Sequence, residues 1–240
     1  MRIAVLSDIH GNLPALDAVL AALAPYDALW QLGDVVGYGP QPDEVVARLA
    51  QEGALGVRGN HDSAAIGTLS TEAFNDDARR AVEWTAARIE PSTRTWLAAL
   101  PERTELEGFT LVHGSPRDAT WEYVISAGVA NANLRAFETV HCLVGHTHVP
   151  LLFRQAGRGM ETIPPQPGQS LELDRRRSIV NPGSVGQPRD GDPRACGLLL
   201  DTDTRRLSWR RIEYPVEQVQ RLMAQRRLPP RLSARLAFGL

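Results

Sequence analysis

Apolar residues follow two rhythms along the first half of the chain: short unbroken runs, and leucines spaced three or four apart. "RIAVLSD" (2–8) is nearly all apolar and stops abruptly at a polar cluster, the pattern of a strand buried on both faces. Asn12 stands where a helix N-cap belongs, and Leu13, Leu16, Leu20 and Leu23 follow on one helical face. "DALWQLGD" (27–34) repeats strand-then-acid, a helix follows from about Pro42 to Gln51, and "ALGVRGNHD" (54–62) is a third strand running into a polar loop. Strand, helix, strand, helix, strand predicts right-handed crossovers and a parallel sheet.

Residues 71–100 are helical in pattern, with Trp84, Ile89, Trp96 and Leu97 as the expected buried positions. "FTLVHGS" (109–115) and "HCLVGHTH" (141–148) are two more strands, each ending in histidine. After Pro150 the rhythm shortens to strands at about 150–155, 177–181, 194–201 and 206–213, which predicts a largely antiparallel second sheet. Residues 156–169, rich in Gly and Pro (Gly157, Gly159, Pro164, Pro165, Pro167, Gly168), read as a surface loop or hairpin tip. The chain from Val216 is again helical, interrupted at Pro229-Pro230. One domain over 1–240 is expected, with a helical insertion at about 64–100 and a helical tail from about 216.

Composition changes this picture little. With 43% hydrophobic and 22% charged residues over 240 positions, the chain suits a soluble globular protein. A net charge of −2 gives no general attraction to nucleic acid or to a membrane surface. All 26 basic residues are arginine, which reads as genomic bias rather than function. Cys142 and Cys196 lie in apolar runs without CxxC spacing, as buried reduced thiols do. No apolar run approaches the ~20 residues of a membrane span, and the chain enters a strand directly, so a cytoplasmic protein is expected.

The chemistry sits at the strand ends. They carry Asp8 and His10, Asp34 in "GDVVGYGP", Asn60-His61-Asp62 in "RGNHD", His113 in "VHGS", and His146 and His148 in "GHTH". Singly each is ordinary, since Asp-x-His caps turns more often than it binds anything. Together they claim five of the chain's six histidines, and C-terminal strand ends gather at one edge of an open α/β sheet. Acids, imidazoles and an amide gathered there predict a two-metal site. His141 lies outside these motifs and reads as structural.

In order, Asp8-x-His10, Gly33-Asp34, Gly59-Asn60-His61-Asp62, His113-Gly114 and Gly145-His146-Thr147-His148 resemble the five motifs of the calcineurin-like metallophosphoesterases. "NPGSVGQPRD" (181–190) extends the resemblance to the small bacterial and archaeal phosphodiesterase branch. The fold implied is α/β, a four-layer α-β-β-α sandwich of two mixed sheets flanked by helices. The cofactors implied are two divalent metal ions, Mn2+ first, with Fe, Zn, Co, Ni or Mg as alternatives. By the resemblance Asp8, His10 and His148 hold one ion, Asn60, His113 and His146 hold the other, and Asp34 bridges them. Two carboxylates against four positive charges leave the site attractive to phosphate even after a bridging hydroxide joins.

His61 resembles the family's acid, protonating the leaving alkoxide or fixing phosphate charge, with Asp62 orienting it; a third ligand or a plain loop histidine is the alternative. Arg58 stands where some relatives carry a phosphate-facing arginine, and a structural salt bridge accounts for it equally well. Tyr38, Trp121 and Tyr123 are candidates for the mouth of the site, and Asn181, Gly183 and Ser184 for a turn that supports the metal loops. The activity implied is hydrolysis of phosphodiesters by a hydroxide bridging the two metals. Rival readings are a phosphomonoesterase or Ser/Thr protein phosphatase, a symmetrical dinucleoside polyphosphate hydrolase, and a non-catalytic scaffold. The partner expected is a small phosphoester, with nucleotide-like compounds as candidates; a homo-oligomer is left open by the sequence, and no membrane or extended nucleic-acid surface is expected.

Overall fold

The computed structural model describes residues 1–166 and 168–240; Pro167, one of the expected loop prolines, lies outside them. Two six-stranded sheets stack face to face. The first runs β3 (Leu55–Gly56), β2 (Ala28–Gln31), β1 (Arg2–Leu6), β11 (Ala195–Asp201), β12 (Arg206–Ile212), β9 (Ser170–Glu172). The second runs β4 (Arg103–Leu106), β5 (Phe109–Val112), β6 (His141–Leu143), β10 (Ser178–Asn181), β7 (Leu151–Ala156), β8 (Gly159–Ile163).

The late strands do not build an antiparallel sheet of their own, as their spacing had predicted. They divide. β11 pairs antiparallel with β1 in the register Ile3↔Leu200, while β10 pairs parallel with β6 and antiparallel with β7. Both sheets are therefore mixed: β3-β2-β1 and β5-β6-β10 run parallel, and antiparallel strands flank them.

Strand alternation explains why the early runs are apolar throughout. Ile3 and Val5 face the inter-sheet core with Trp30, Leu111, Leu143, Leu152, Val180 and Leu198. Ala4 and Leu6 point the other way, onto helix α1 (Leu13–Leu23), whose Leu16, Val19, Leu20 and Leu23 are buried with Val45 and Leu49 of α2 (Pro42–Gln51). The second sheet covers its outer face with α6 (Ala127–Asn133), burying Val112, Cys142, Phe153 and Ile179 against Ala130 and Phe137. Helix, sheet, sheet, helix is the resulting layering. Asn12 caps α1 as expected, its Oδ1 accepting from Ala15 N at 3.2 Å, while its amide reaches Gly186 O at 3.0 Å.

Between β3 and β4 come α3 (Asn60–Ala65), α4 (Asp76–Ala86) and α5 (Pro91–Ala99). Of the side chains expected to be buried there, Ile89 and Leu97 are, whereas Trp84 and Trp96 are half-buried. Within the expected 156–169 loop only Gly157-Arg158 is the hairpin tip, because Gly159–Ile163 is strand β8, paired with β7. The tail forms α7 (Val216–Gln225) and α8 (Pro230–Arg235), with Pro230 opening α8, where a missing N–H costs nothing. Val219, Met223, Leu232 and Leu236 sink into the α1 side of the core. Both cysteines are free and buried.

Candidate metal centre

The polar residues at the strand ends meet at one edge, where the chain leaves β1, β2 and β3 of one sheet and β5 and β6 of the other. Asp8, His10, Asp34, Asn60, His113, His146 and His148 are all buried. Asp8, His10, Asp34, His146 and His148 have φ between 49° and 64°, which non-glycine residues seldom adopt and which costs of order 1 kcal/mol or more each. Lacing between loops holds them there: His10 N donates to Asp34 O at 2.9 Å, Gly145 N to His113 O at 2.8 Å, and His146 N to Asp8 Oδ2 at 3.1 Å.

Two clusters result. In the first, His148 Nε2 lies 3.3 Å from His10 Nε2 and 3.3 Å from Asp8 Oδ1. In the second, His113 Nε2 lies 3.1 Å from His146 Nδ1, 3.1 Å from Asn60 Oδ1 and 3.4 Å from Asp34 Oδ2. Asp34 Oδ2 also stands 3.7 Å from His10 Nε2, so a single carboxylate oxygen reaches both clusters.

Proton placement decides what these distances mean. His10, His113 and His148 each turn Nδ1 to a backbone carbonyl, of Val36 (3.1 Å), Leu32 (2.7 Å) and Gln187 (2.5 Å) respectively. A carbonyl only accepts, which assigns the proton to Nδ1 and aims the Nε2 lone pair inward. His10 and His148 thus face each other lone pair to lone pair, with a carboxylate oxygen alongside. Asp8 Oδ1 is buried with no hydrogen-bond partner among the described residues. Such a cluster repels itself unless a cation joins it. Ligands about 2.1 Å from one ion stand roughly 3–3.4 Å apart, the spacing of both clusters. Imidazole, carboxylate and amide donors without thiolate suit hard or borderline divalent ions. The residues fit two such ions.

The electrostatics agree. Burial holds His10 and His148 well below the usual histidine range and His146 down to about 3, so these imidazoles are neutral donors. Burial also opposes charge on His113, but the neighbouring Asp34 overrides it and lifts His113 to about 9. For Asp34 burial is likewise outweighed: His113 and His61 pull its carboxyl well below the ordinary range. Asp8 is pushed up to about 7, chiefly by burial.

The "NPGSVGQPRD" stretch braces the loops. Asn181 Nδ2 donates to Gly145 O at 2.7 Å and Thr147 Oγ1 at 3.0 Å, and Ser184 Oγ donates to Asp8 O at 2.8 Å. Gly186 passes so close that a Cβ there would lie 1.9 Å from Ile9 O. Gly59 is equally confined, since a Cβ would lie 2.1 Å from Asp34 Oδ1.

The three residues expected to act on substrate separate. His61 borders the cleft, its ring packed edge-on against His10 and Phe74 and tilted on Tyr38, while its backbone N–H donates to Asp34 Oδ1 at 2.9 Å. Burial pushes its imidazole down to about 4. Asp62 does not grip that ring. Its carboxylate accepts from Val36 N and Gly59 N, both at 3.0 Å, so it fixes the loop and positions His61 only through the backbone. Arg58 turns away altogether: it reaches Ser63 Oγ (3.0 Å), Leu100 O (3.1 Å) and Glu102 (3.6 Å), tying α3 to the segment after α5. Arg58 is thus placed among structural contacts and is not one of the residues lining the cleft.

The cation at the cleft is Arg189. Its guanidinium stands 5.6 Å from the Tyr38 ring centre, Nη2 donates to Gln187 Oε1 at 3.0 Å, and Nε has no partner among the described residues. The signal was present in the sequence, because Arg189 is the last residue but one of the "NPGSVGQPRD" stretch, of which only Asn181, Gly183 and Ser184 were given a role. Tyr38, Trp121 and Tyr123 line the cleft as expected, and Phe74, which no motif flagged, joins them. Tyr123 stacks on His146 at 4.2 Å with an 8° interplanar angle. The space enclosed is small, about 90 Å3.

Two stacked mixed sheets with acid and histidine clusters at their strand ends define a metallophosphoesterase, and the chain belongs to the calcineurin-like phosphoesterase superfamily, whose domain matches residues 1–205. It is 33% identical to MJ0912 of Methanocaldococcus jannaschii over 99% of this chain and 98% of that one. It is 29% identical to the phosphodiesterase YfcE of Escherichia coli K12, over 83% of this chain and 87% of that one. Among solved structures, a metallophosphoesterase from Sphaerobacter thermophilus superposes with TM-score 0.92 at 44% identity, covering 100% of this chain and 99% of that one. Among the described residues no helix is long and apolar enough to cross a membrane.

Proposed function

We propose that the protein is a binuclear metal-dependent phosphodiesterase, with Asp8, His10 and His148 on one divalent ion, Asn60, His113 and His146 on the other, and Asp34 shared. The observation that carries this reading is the facing of the His10 and His148 lone pairs at 3.3 Å with Asp8 Oδ1 alongside, which a cation reconciles, and the Asp34 oxygen that reaches from there to the His113, His146 and Asn60 cluster. When bound, two such ions supply an activated water and a grip on the phosphoryl oxygens.

The chain's own groups do the remaining work. The His61 backbone N–H occupies Asp34 Oδ1 and leaves Oδ2 turned to both clusters. Kept neutral by burial, the His61 ring serves as a hydrogen-bond donor to a phosphoryl oxygen rather than as an imidazolium acid. Arg189 offsets the charge of a non-bridging oxygen. Phe74, Trp121 and Tyr123 give the organic arm an apolar wall.

A diester fits better than a monoester. Arg189 is the one arginine lining the cleft among the described residues, and a monoester dianion calls for more cationic contacts than a diester monoanion. The identity to YfcE, named a phosphodiesterase, supports the same choice. With manganese, bis-p-nitrophenyl phosphate should be hydrolysed faster than p-nitrophenyl phosphate, and chelation should abolish both activities until a divalent ion is restored. The reverse order favours the phosphomonoesterase rival, and no turnover with any divalent ion favours the scaffold.

A further inference from the structure

We infer that a second anion-binding subsite lies beside the catalytic cleft, in the trough between α4 and α8, and that it selects phosphoesters carrying a further phosphate beyond the scissile one. The inference rests on the phosphodiesterase reading above and names its substrate class. The trough encloses about 570 Å3 between Asn75, Asp76, Asp77 and Arg80 on one wall and Arg231 and Arg235 on the other. Asn75 lines both this trough and the cleft, so the two spaces adjoin.

Three arginines line this one trough. Several guanidiniums elsewhere are matched: Arg48 with Asp17, Arg117 with Glu122, Arg176 with Asp174, Arg194 with Asp192, Arg211 with Asp190. Arg80, Arg231 and Arg235 have no ion pair among the described residues, although two aspartates are at hand. One of those, Asp76, is taken by Arg79 at 2.6 Å. That leaves Asp77 against three guanidiniums, an excess an anion would satisfy, and the forked geometry of arginine suits phosphate. Arg235 is half-buried, and burial together with Arg189 and Arg231 depresses its guanidinium, so positive charge continues from the cleft into the trough.

The walls are fixed. Leu232 and Leu236 anchor α8 in the core beside Val219 and Met223 of α7, and Gly191 N donates to Gly239 O at 2.9 Å, pinning the end of the tail to the loop after Arg189. The superfamily domain match ends at residue 205, so Arg231 and Arg235 lie beyond it, in the helical tail.

The test takes the full manganese-loaded chain and two esters that differ by one phosphate: thymidine 5′-p-nitrophenyl phosphate and its 3′-phosphorylated counterpart. Wild type should prefer the 3′-phosphorylated ester in kcat/KM by about tenfold or more, the worth of one charge-assisted contact. The double variant Arg80→Gln/Arg231→Gln, at two exposed positions, should bring that ratio close to one, and salt should erode it in wild type. Calorimetry with thymidine 3′,5′-bisphosphate against thymidine 5′-monophosphate reads the same preference without turnover. A wild-type ratio of one in both assays, or a preference that survives the double substitution, overturns the subsite. Tighter bisphosphate binding with neither ester hydrolysed would instead overturn the phosphodiesterase reading and leave the subsite standing.

Discussion

The two halves of the metal centre are built differently. On the Asp8 side, His10 and His148 are each clamped by an Nδ1 hydrogen bond to a loop carbonyl, and both rings are about 1% exposed. On the Asp34 side only His113 is clamped in this way. His146 turns Nδ1 inward, its Nε2 has no partner among the described residues, and its ring is covered by Tyr123, which is 44% exposed. One half is preorganised by backbone; the other is finished by a surface aromatic and gives the cleft Asn60 and His146, where the first gives His148 alone. The lesson is that the ions should differ in affinity and exchange, the Asp8-side ion the tighter, and that substrate meets the softer half.

Asp34 belongs to both halves, so its loss should erase the contrast. Asp34→Asn is expected to lower turnover by about 10³-fold, the upper range for one preorganised electrostatic group, and to lower occupancy of both ions. A variant that keeps both ions and wild-type rate would show that the halves are independent. Gly59→Ala should act in the same direction, because its Cβ would strike the Asp34 carboxylate.

His61 sits beside the shared carboxylate without joining either cluster. Its removal should leave both ions bound and slow the reaction by about 10–100-fold, as for a lost hydrogen bond to a charged group. The deficit should be equal on nitrophenyl and alkyl esters. A deficit that grows with the poorer leaving group would make His61 an acid after all, and a lost ion would make it a ligand.

Acid should sharpen the contrast in the chelated protein. His10, His61, His146 and His148 stay neutral when folded yet protonate near pH 6.5 once unfolded, so falling pH favours unfolding. Asp8, raised to about 7, and Asp62, raised to about 6 by burial, act the other way, but the imidazoles outnumber them. His113, raised to about 9, trims stability only on the alkaline side. Thermal melts should peak near about pH 6.5 and fall toward pH 4, by about 1.4 kcal/mol per pH unit for each unmatched proton. A midpoint that rises on acidification would contradict the burial argument.

The smallest effect concerns the cover on the softer half. Tyr123→Ala removes one stacked ring from His146 and should raise KM or weaken that ion by about 2–10-fold. Metal titration that shows no change would make Tyr123 a bystander.

Much of this site was legible in the chain because buried strands have no use for terminal carboxylates and imidazoles, so Asp8, His10, Asp34, His113, His146 and His148 stood out against apolar runs. Pairing was not legible. The late strands are all short and turn-bounded, and only long-range register such as Ile3↔Leu200 decides that β11 joins the first sheet. The edge strands β4 and β9 and the helix α6, with Gly128 and Asn131 in its seven residues, carry too weak a periodic signal to find. Side-chain direction was hidden as well. Arg58 stands two residues before Asn60 in sequence but follows its backbone N–H, bonded to Pro101 O at 2.8 Å, away from the site, whereas Arg189 arrives from a turn more than a hundred residues downstream.

Facing lone pairs in the Asp8 cluster, and a carboxylate oxygen shared with the Asp34 cluster, make this a candidate site for two cations, and counting the ions tests that most directly. Protein saturated with Mn2+ and freed of excess should retain two ions per chain by elemental analysis, the His10→Ala variant should retain one, and that remaining ion should exchange the faster. A chain that retains none, and hydrolyses phosphodiesters at full rate in chelator, would contradict the account.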